Sequence, residues 1–339
     1  MSAQRLSRRR LLVRAGAAAS FAIGIGALAE DRLRRPPPRF DRSLFPEPPP
    51  ASAAVLRAGS YDGPLDELLF DGLRAVGADV RGRSVLLKPN LVEHNEGPVN
   101  TDPRVVAAAV VAMRRLGARE IVVGEGPGHR RDVEAVLVAS GLHEALQDVG
   151  VRFVDLNAAE LVRRPMRTRF TELRELWLPR ALVDADVVVS MPKLKTHHWV
   201  GVTLSLKNCF GCVPGRVYGW PKNVLHFQGI ERSILDIAAT VRPSLAIVDG
   251  IVGMEGDGPI LGTAQPAGVI VVSTDPVAAD ATAARLMGID GEKVGYLRDA
   301  GRFLGQARLE RIEQRGEDLE RSARPFALLD QFRHLALRS

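Results

Sequence analysis

The chain has 339 residues, 46 lysines and arginines against 40 aspartates and glutamates, a net charge of +6, and only two cysteines. Two cysteines exclude a scaffold stapled by several disulfides. Five of the arginines fall within residues 1–29, and without them the net charge drops to +1, which leaves no nucleic-acid footprint.

In residues 1–29 these arginines, with no acid among them, precede an apolar run from Ala15 to Ala29 that closes on Ala27-Leu28-Ala29 before Glu30. That is the three-part layout of a signal peptide. Ser7-Arg8-Arg9-Arg10-Leu11-Leu12 resembles the twin-arginine (Tat) export motif, and the run of about 15 residues is shorter than the roughly 20 a spanning helix needs. The expectation is passage through the Tat export machinery to the periplasm or another extracytoplasmic address. If the signal is not cut, it is an N-terminal anchor and the sole membrane contact. Residues 30–54 hold two triple-proline runs and little apolar surface, so they read as a semi-rigid, solvated linker. The folded part is then expected near Val55, as an α/β domain over 55–300 followed by a tail over 301–339.

Further along, apolar β-branched runs alternate with stretches of helical period: SVLLKPN, DPRVVAAAVVAMRRLGA, EIVVGEG, RDVEAVLVASGLHEALQDVG and VRFVDL. The alternation returns with DADVVVSMPK, a helical pattern over 228–240, SLAIVDG, AGVIVVSTD and a helical pattern over 276–287. This predicts a doubly wound α/β fold on a mainly parallel sheet of at least six strands. MRTRFTELRELWLP, with its loose alternation, predicts a small antiparallel insertion, and the charged tail with scattered leucines predicts a peripheral helix or two. Thr101-Asp102-Pro103 and Thr274-Asp275-Pro276 each predict a helix start, with an oxygen-bearing cap followed by proline at the first helical position.

Each strong strand ends in a polar or glycine-rich burst: Lys88-Pro89-Asn90, Gly124-Glu125-Gly126, Lys193 to His198, Asp249-Gly250 and Thr274-Asp275. In a parallel sheet these ends share one edge, so a ligand cleft is expected on that rim. The lysines sharpen this expectation, because the chain has only Lys88, Lys193, Lys195, Lys207, Lys222 and Lys293 among its 46 basic residues. Lysine is a compact ammonium whose pKa falls on burial, so it can contact an anion or move a proton. Lys88, Lys193 and Lys195 are the candidate contacts to a small anionic ligand, with one of them or His197 as acid or base. Asn90, Lys207 and Asn208 are candidate substrate contacts. Asp249 and Glu255, the latter on the glycine-rich loop after Asp249, would set lysine charge or help hold a cation.

Two metal readings are open. His197 and His198 are adjacent, so in an extended backbone only one of them faces the cleft. His197, His226 and a cysteine form a weak ligand set without diagnostic spacing. Cys209 and Cys212 form a lone C-x-x-C at the end of a short helical stretch that breaks at glycine and proline. There the helix dipole does not favour a thiolate, so the readings are two small buried apolar residues or a disulfide.

VLLKPNLV with NTDP downstream, VVVSMPKLKTH, GVTLSLKNCFGCVPG, IVDGIVGMEGDGP and STDPVAAD together resemble the domain of unknown function 362 family, from about Val55 to Gly301. The resemblance implies an α/β domain and an association with iron–sulfur proteins, without a settled reaction. Family members that carry clusters do so mainly through appended ferredoxin-type cysteine runs, and this chain has none. Its K-N-x-x-G-x-x-P-G pattern often places apolar residues where Cys209 and Cys212 stand. The leading expectation is an exported enzyme of unknown reaction that binds an acidic small molecule or anionic cofactor at the rim. The rival is a non-enzymatic periplasmic accessory or electron-transfer protein associated with an iron–sulfur cluster.

Overall fold

The computed structural model describes residues 39–94 and 97–337. The signal-type segment 1–29 and the first part of the proline-rich stretch lie outside the described residues.

The strands form where β-branched runs are buried on both faces. β1 (Ala51–Arg57), β2 (Ser84–Pro89), β3 (Glu120–Glu125) and β4 (Phe153–Asp155) come first, then an inserted pair, β5 (Leu161–Pro165) and β6 (Glu175–Pro179). β7 (Val187–Met191), β8 (Lys193–His197), β9 (Gly201–Thr203), β10 (Leu245–Glu255), β11 (Thr263–Ser273) and β12 (Ile312–Gly316) complete the set. One ten-stranded sheet runs in the order β12-β1-β11-β10-β7-β2-β3-β4, with β8 and β9 attached at the far end of β10. Most pairings are parallel; β11 is antiparallel to β1 and β10, and β9 to β8.

Period-two alternation divides the core between the two faces. Val85, Leu87, Val187 and Val189 pack with helices Leu65–Ala75 and Pro103–Arg115 on one side. Leu86, Val188, Ala246 and Val248 pack with helices Ile230–Val241 and Pro276–Leu286 on the other. Helices on both faces of a mostly parallel sheet make this the doubly wound α/β fold the alternation predicts. Both T-D-P starts hold. The Asp102 carboxylate accepts from Arg104 N–H, and the Asp275 carboxylate from Val277 and Ala278 N–H, each ahead of proline at the helix start.

The insertion is antiparallel, as expected, and is seated through one buried carboxylate. Asp236 accepts from the Phe170 and Thr171 N–H groups and from the hydroxyls of Thr168 and Thr171. Among the described residues no helix is long and apolar enough to cross a membrane.

Two expectations are corrected. Residues 40–50, read as solvated linker, pack onto the fold. Phe40 stacks on Phe303 with centroids 4.5 Å apart, Phe45 is buried, and Gln306 donates to the carbonyls of Pro48 and Pro49. Proline lacks a donor but keeps its acceptor, so a proline run can be held by side-chain amides while its aromatic neighbours supply the apolar contact. The tail, read as helical, contributes β12, which lies parallel to β1 in register Ala51–Ile312 to Val55–Gly316. Its helical content from residue 309 on is one turn, Leu319–Ser322, and two 3-10 segments, Leu309–Arg311 and Asp330–Leu335. The open edge of β1 offers a ladder of backbone partners that a charged segment with few periodic apolar residues does not find in a helix.

Candidate functional site

A cavity of about 520 Å3 opens at the carboxyl ends of β2 and β3 and is walled by β8, β9 and the segment that follows them. Lys88 is the penultimate residue of β2 and Glu125 ends β3. β8, expected as a polar burst after a strand, is itself a strand, and brings Lys195 and His197 to the wall. Thr203 closes β9, Lys207 and Asn208 sit in the short helix Ser205–Asn208, and Lys222 and His226 follow.

Lys88 is fully committed. Its Nζ pairs with Glu125 and donates to Asn208 Oδ1 at 2.9 Å and to its neighbour's carbonyl, Pro89 O, at 2.9 Å. Asn208 returns donors to Lys88 O and Ser190 Oγ, so this candidate substrate contact is held inside the protein's own network. Gly211 completes the packing: a Cβ there would lie 1.8 Å from Glu125 Oε1 and 2.5 Å from Lys88 Nζ, closer than real atoms approach.

The other three lysines of the cavity have no carboxylate in ion-pair range among the described residues. Lys195 Nζ donates to Val99 O at 2.8 Å and Pro259 O at 3.2 Å. Lys222 Nζ donates to Gly126 O at 2.8 Å and Phe210 O at 2.6 Å, from a backbone held at φ 70°, a left-handed conformation costly for a residue with a Cβ. Among the described residues Lys207 has no hydrogen-bond partner, and it lies 4.4 Å from the centre of the Phe210 ring.

Burial, and then the like charges of Lys207 and Lys193, hold the Lys195 ammonium well below the usual lysine range. Burial and the neighbouring Lys88 pull Lys207 down to about 8. Lys222 is pulled to about 7, chiefly by burial. Glu125 opposes the shift in all three.

Burial likewise favours the neutral form of His197 and His226. Burial, then Lys207, hold His197 well below its ordinary value, and its Nδ1 accepts from Trp199 N–H at 3.0 Å, which puts the ring proton on Nε2. His226 is lowered by burial, and its Nδ1 lies 3.0 Å from Lys222 O, so that nitrogen carries the proton and Nε2 is the acceptor. Both His197 and His198 line the cavity, contrary to the expectation that only one would. The strand ends at His197 and the chain turns, so the alternation of side chains stops between them.

Two buried oxygens on the cavity wall, Asn90 Oδ1 and Thr203 Oγ1, have no hydrogen-bond partner among the described residues. Buried polar atoms are almost always satisfied, so two orphans in one wall mark a place where something else supplies donors.

Several sequence candidates lie elsewhere. Lys193 shares a face of β8 with Lys195, yet its Nζ is taken by Asp249 at 2.8 Å and the Tyr61 hydroxyl at 2.7 Å, outside the cavity. Asp249 also accepts from the Asp102 N–H at 2.9 Å and so ties β10 to the helix start. Glu255 accepts from Ala327 N–H and Gln265 Nε2 and anchors the tail. Cys209 and Cys212 are free, buried and absent from the cavity lining. Their mutual hydrogen bond, followed by burial, raises the Cys209 thiol well above its ordinary value, so it is no thiolate. His226 stands apart from them, and among the described residues no three His, Cys, Asp or Glu side chains converge as a metal site.

Other lining residues gave little signal in the sequence. Arg131 grips Glu93 with Nε and Nη2 at 2.9–3.1 Å, and Trp199, Ile260 and Leu261 flank the mouth. Glu125 stood in a strand-end burst and Lys222 among the rare lysines, but nothing local distinguished Thr203 or Arg131.

Over 251 residues the chain is 31% identical to a thylakoid-associated protein of Synechocystis sp., a match covering 70% of this chain and 75% of that protein. Among solved structures it resembles the lactate racemase apoprotein of Thermoanaerobacterium thermosaccharolyticum, at 12% identity and a TM-score of 0.44 over 71% of this chain. A Thermotoga maritima protein matches at 15% identity and a TM-score of 0.39 over 65% of this chain. In each of these two cases the match spans 58% of the other chain. The family model described as a domain of unknown function (DUF362) matches residues 85–285, more than half of the chain, and the protein belongs to that family.

Proposed function

We propose that this protein is an exported enzyme whose active site is the lysine-lined cavity, and that its substrate or cofactor is a small anion. The observation that carries the reading is the presence on one wall system of three lysines without a carboxylate partner among the described residues, Lys195 and Lys222 buried and Lys207 half-buried. An uncompensated buried charge costs several kcal/mol, and a site that keeps two such groups beside a third ammonium gains most from a ligand of opposite sign.

Lys207 is the contact with a free hand, because its ammonium has no hydrogen bond to give up. Lys195 and Lys222 are already oriented by carbonyls and add field at fixed positions. Lys207 and Lys222 also titrate near neutrality, which suits a group that takes and returns a proton, and His197 offers its Nε2–H as a donor. Asn90 and Thr203 would hold polar atoms of the bound molecule. The Tat-type segment supports export of the folded chain with its ligand in place.

The test is thermal unfolding in anion-free buffer against added succinate, 2-oxoglutarate, pyrophosphate and inorganic phosphate. At least one is expected to raise the Tm of the parent by several degrees and to lose that effect in Lys207→Met. If none shifts the Tm, or if Lys207→Met and Lys222→Met respond as the parent does, the anion site is wrong.

A further inference from the structure

The cavity is graded from floor to mouth. At its floor stand Lys88, Lys195 and Lys222, none more than 2% exposed, with the orphan oxygens of Asn90 and Thr203. At its mouth the gradient reverses in both burial and chemistry. Trp199 lines the cavity and is 57% exposed, and Leu261 lines it and is 76% exposed. Ile260 stands beside Leu261, and Phe210 lies deeper, beneath Lys207.

Among the described residues neither Trp199 nor Leu261 packs into a hydrophobic core. The Trp199 ring touches only the imidazoles of His197, His198 and His226 among aromatic side chains of the described residues, at centroid distances of 4.8–6.2 Å. Leu261 sits on the loop between β10 and β11, where Gly256 takes φ 76° and Gly258 has no room for a side chain, since a Cβ would lie 2.1 Å from Thr196 O. That close approach fixes the base of the loop against β8 and holds Leu261 out over the opening. A large apolar side chain kept in water at the entrance of a polar pocket is out of place unless the occupant covers it.

Resting on the anion-site reading above, we propose that the occupant is an amphiphilic anion. A carboxylate or phosphate head reaches the lysine floor, and an apolar, ring-bearing body lies between Trp199 and the Ile260–Leu261 loop. A carboxylate and a phosphate head share this chemistry, so the probes must separate them.

The experiment is calorimetric titration of the full chain with two matched pairs: acetate against 3-phenylpropionate, and inorganic phosphate against phenyl phosphate. In the pair whose head fits, the ring-bearing member is expected to bind at least tenfold more tightly than its bare head. Trp199→Ala combined with Leu261→Ser, both at exposed positions, is expected to bring that ratio close to one, with folding checked by circular dichroism. Equal affinities for head and ring-bearing probe, or an unchanged ratio in the double variant, overturn the amphiphile and leave the anion site standing. Absence of binding by all four probes overturns the anion site itself.

Discussion

Lys222 and Lys207 differ from surface lysines in where they release a proton. Their ordinary value is 10.5, and the fold pulls them to about 7 and about 8. Between about pH 7 and 10 the unfolded chain therefore holds protons that the folded one has lost, so the contribution of these groups to stability rises with pH. Below about 7 both states are protonated and the penalty is complete. Urea denaturation at several pH values should show a rising slope that flattens in Lys222→Met; an unchanged slope contradicts the shift. A bound anion favours the ammonium, so anion affinity should fall as pH climbs through 7 to 8.

In the neighbouring pair Lys88–Glu125 each charge is satisfied by the other and by amide groups. Lys88→Met or Glu125→Gln alone should destabilise by about 3–5 kcal/mol, since either leaves a buried charge unpaired. The double variant should recover a good part of that loss, by the same denaturation assay. Gly211→Ala should resemble the single variants, because its methyl would occupy the place of the Glu125 carboxylate. If it is neutral, the packing of this wall is wrong.

Among elements, the inserted hairpin depends on Asp236 more than on its own ladder. Asp236→Ala strands two backbone donors and two hydroxyls, and should cost about 2–5 kcal/mol in chemical denaturation. The loss should come with earlier proteolysis between β5 and β6.

Those elements were unevenly legible in the sequence. The parallel strands and the helices between them follow from period alone, because burial on both faces leaves long β-branched runs such as SVLL and VVV. β8 does not, since KLKTH reads as polar and becomes a strand only because β10 and β9 supply its ladder. The same limit governs the site. Rare lysines at strand ends pointed to the rim where the cavity lies, yet nothing local separates Lys193, neutralised by a partner 56 residues away, from Lys195, which has only carbonyls. Partnering is set by tertiary contacts, and a single sequence carries no record of them.

For the molecule as a whole, export and assembly are linked predictions. Replacing Arg8 and Arg9 by lysine should retain the chain in the cytoplasm, read by fractionation and immunoblotting; unchanged export removes the Tat reading. Truncation after Ala307 should remove β12 and yield aggregated protein, since the edge of β1 would be left open. A soluble truncated chain with the parent's Tm contradicts the role given to the tail.

The placement of β1 bears on the order in which the protein is made. Among the described residues it is the first strand to be synthesised, and both of its neighbours, β11 and β12, are among the last three. The sheet therefore cannot close around β1 until more than 200 further residues have been made, and contacts this distant in sequence form slowly. An early strand thus waits, unpaired, for partners that arrive late.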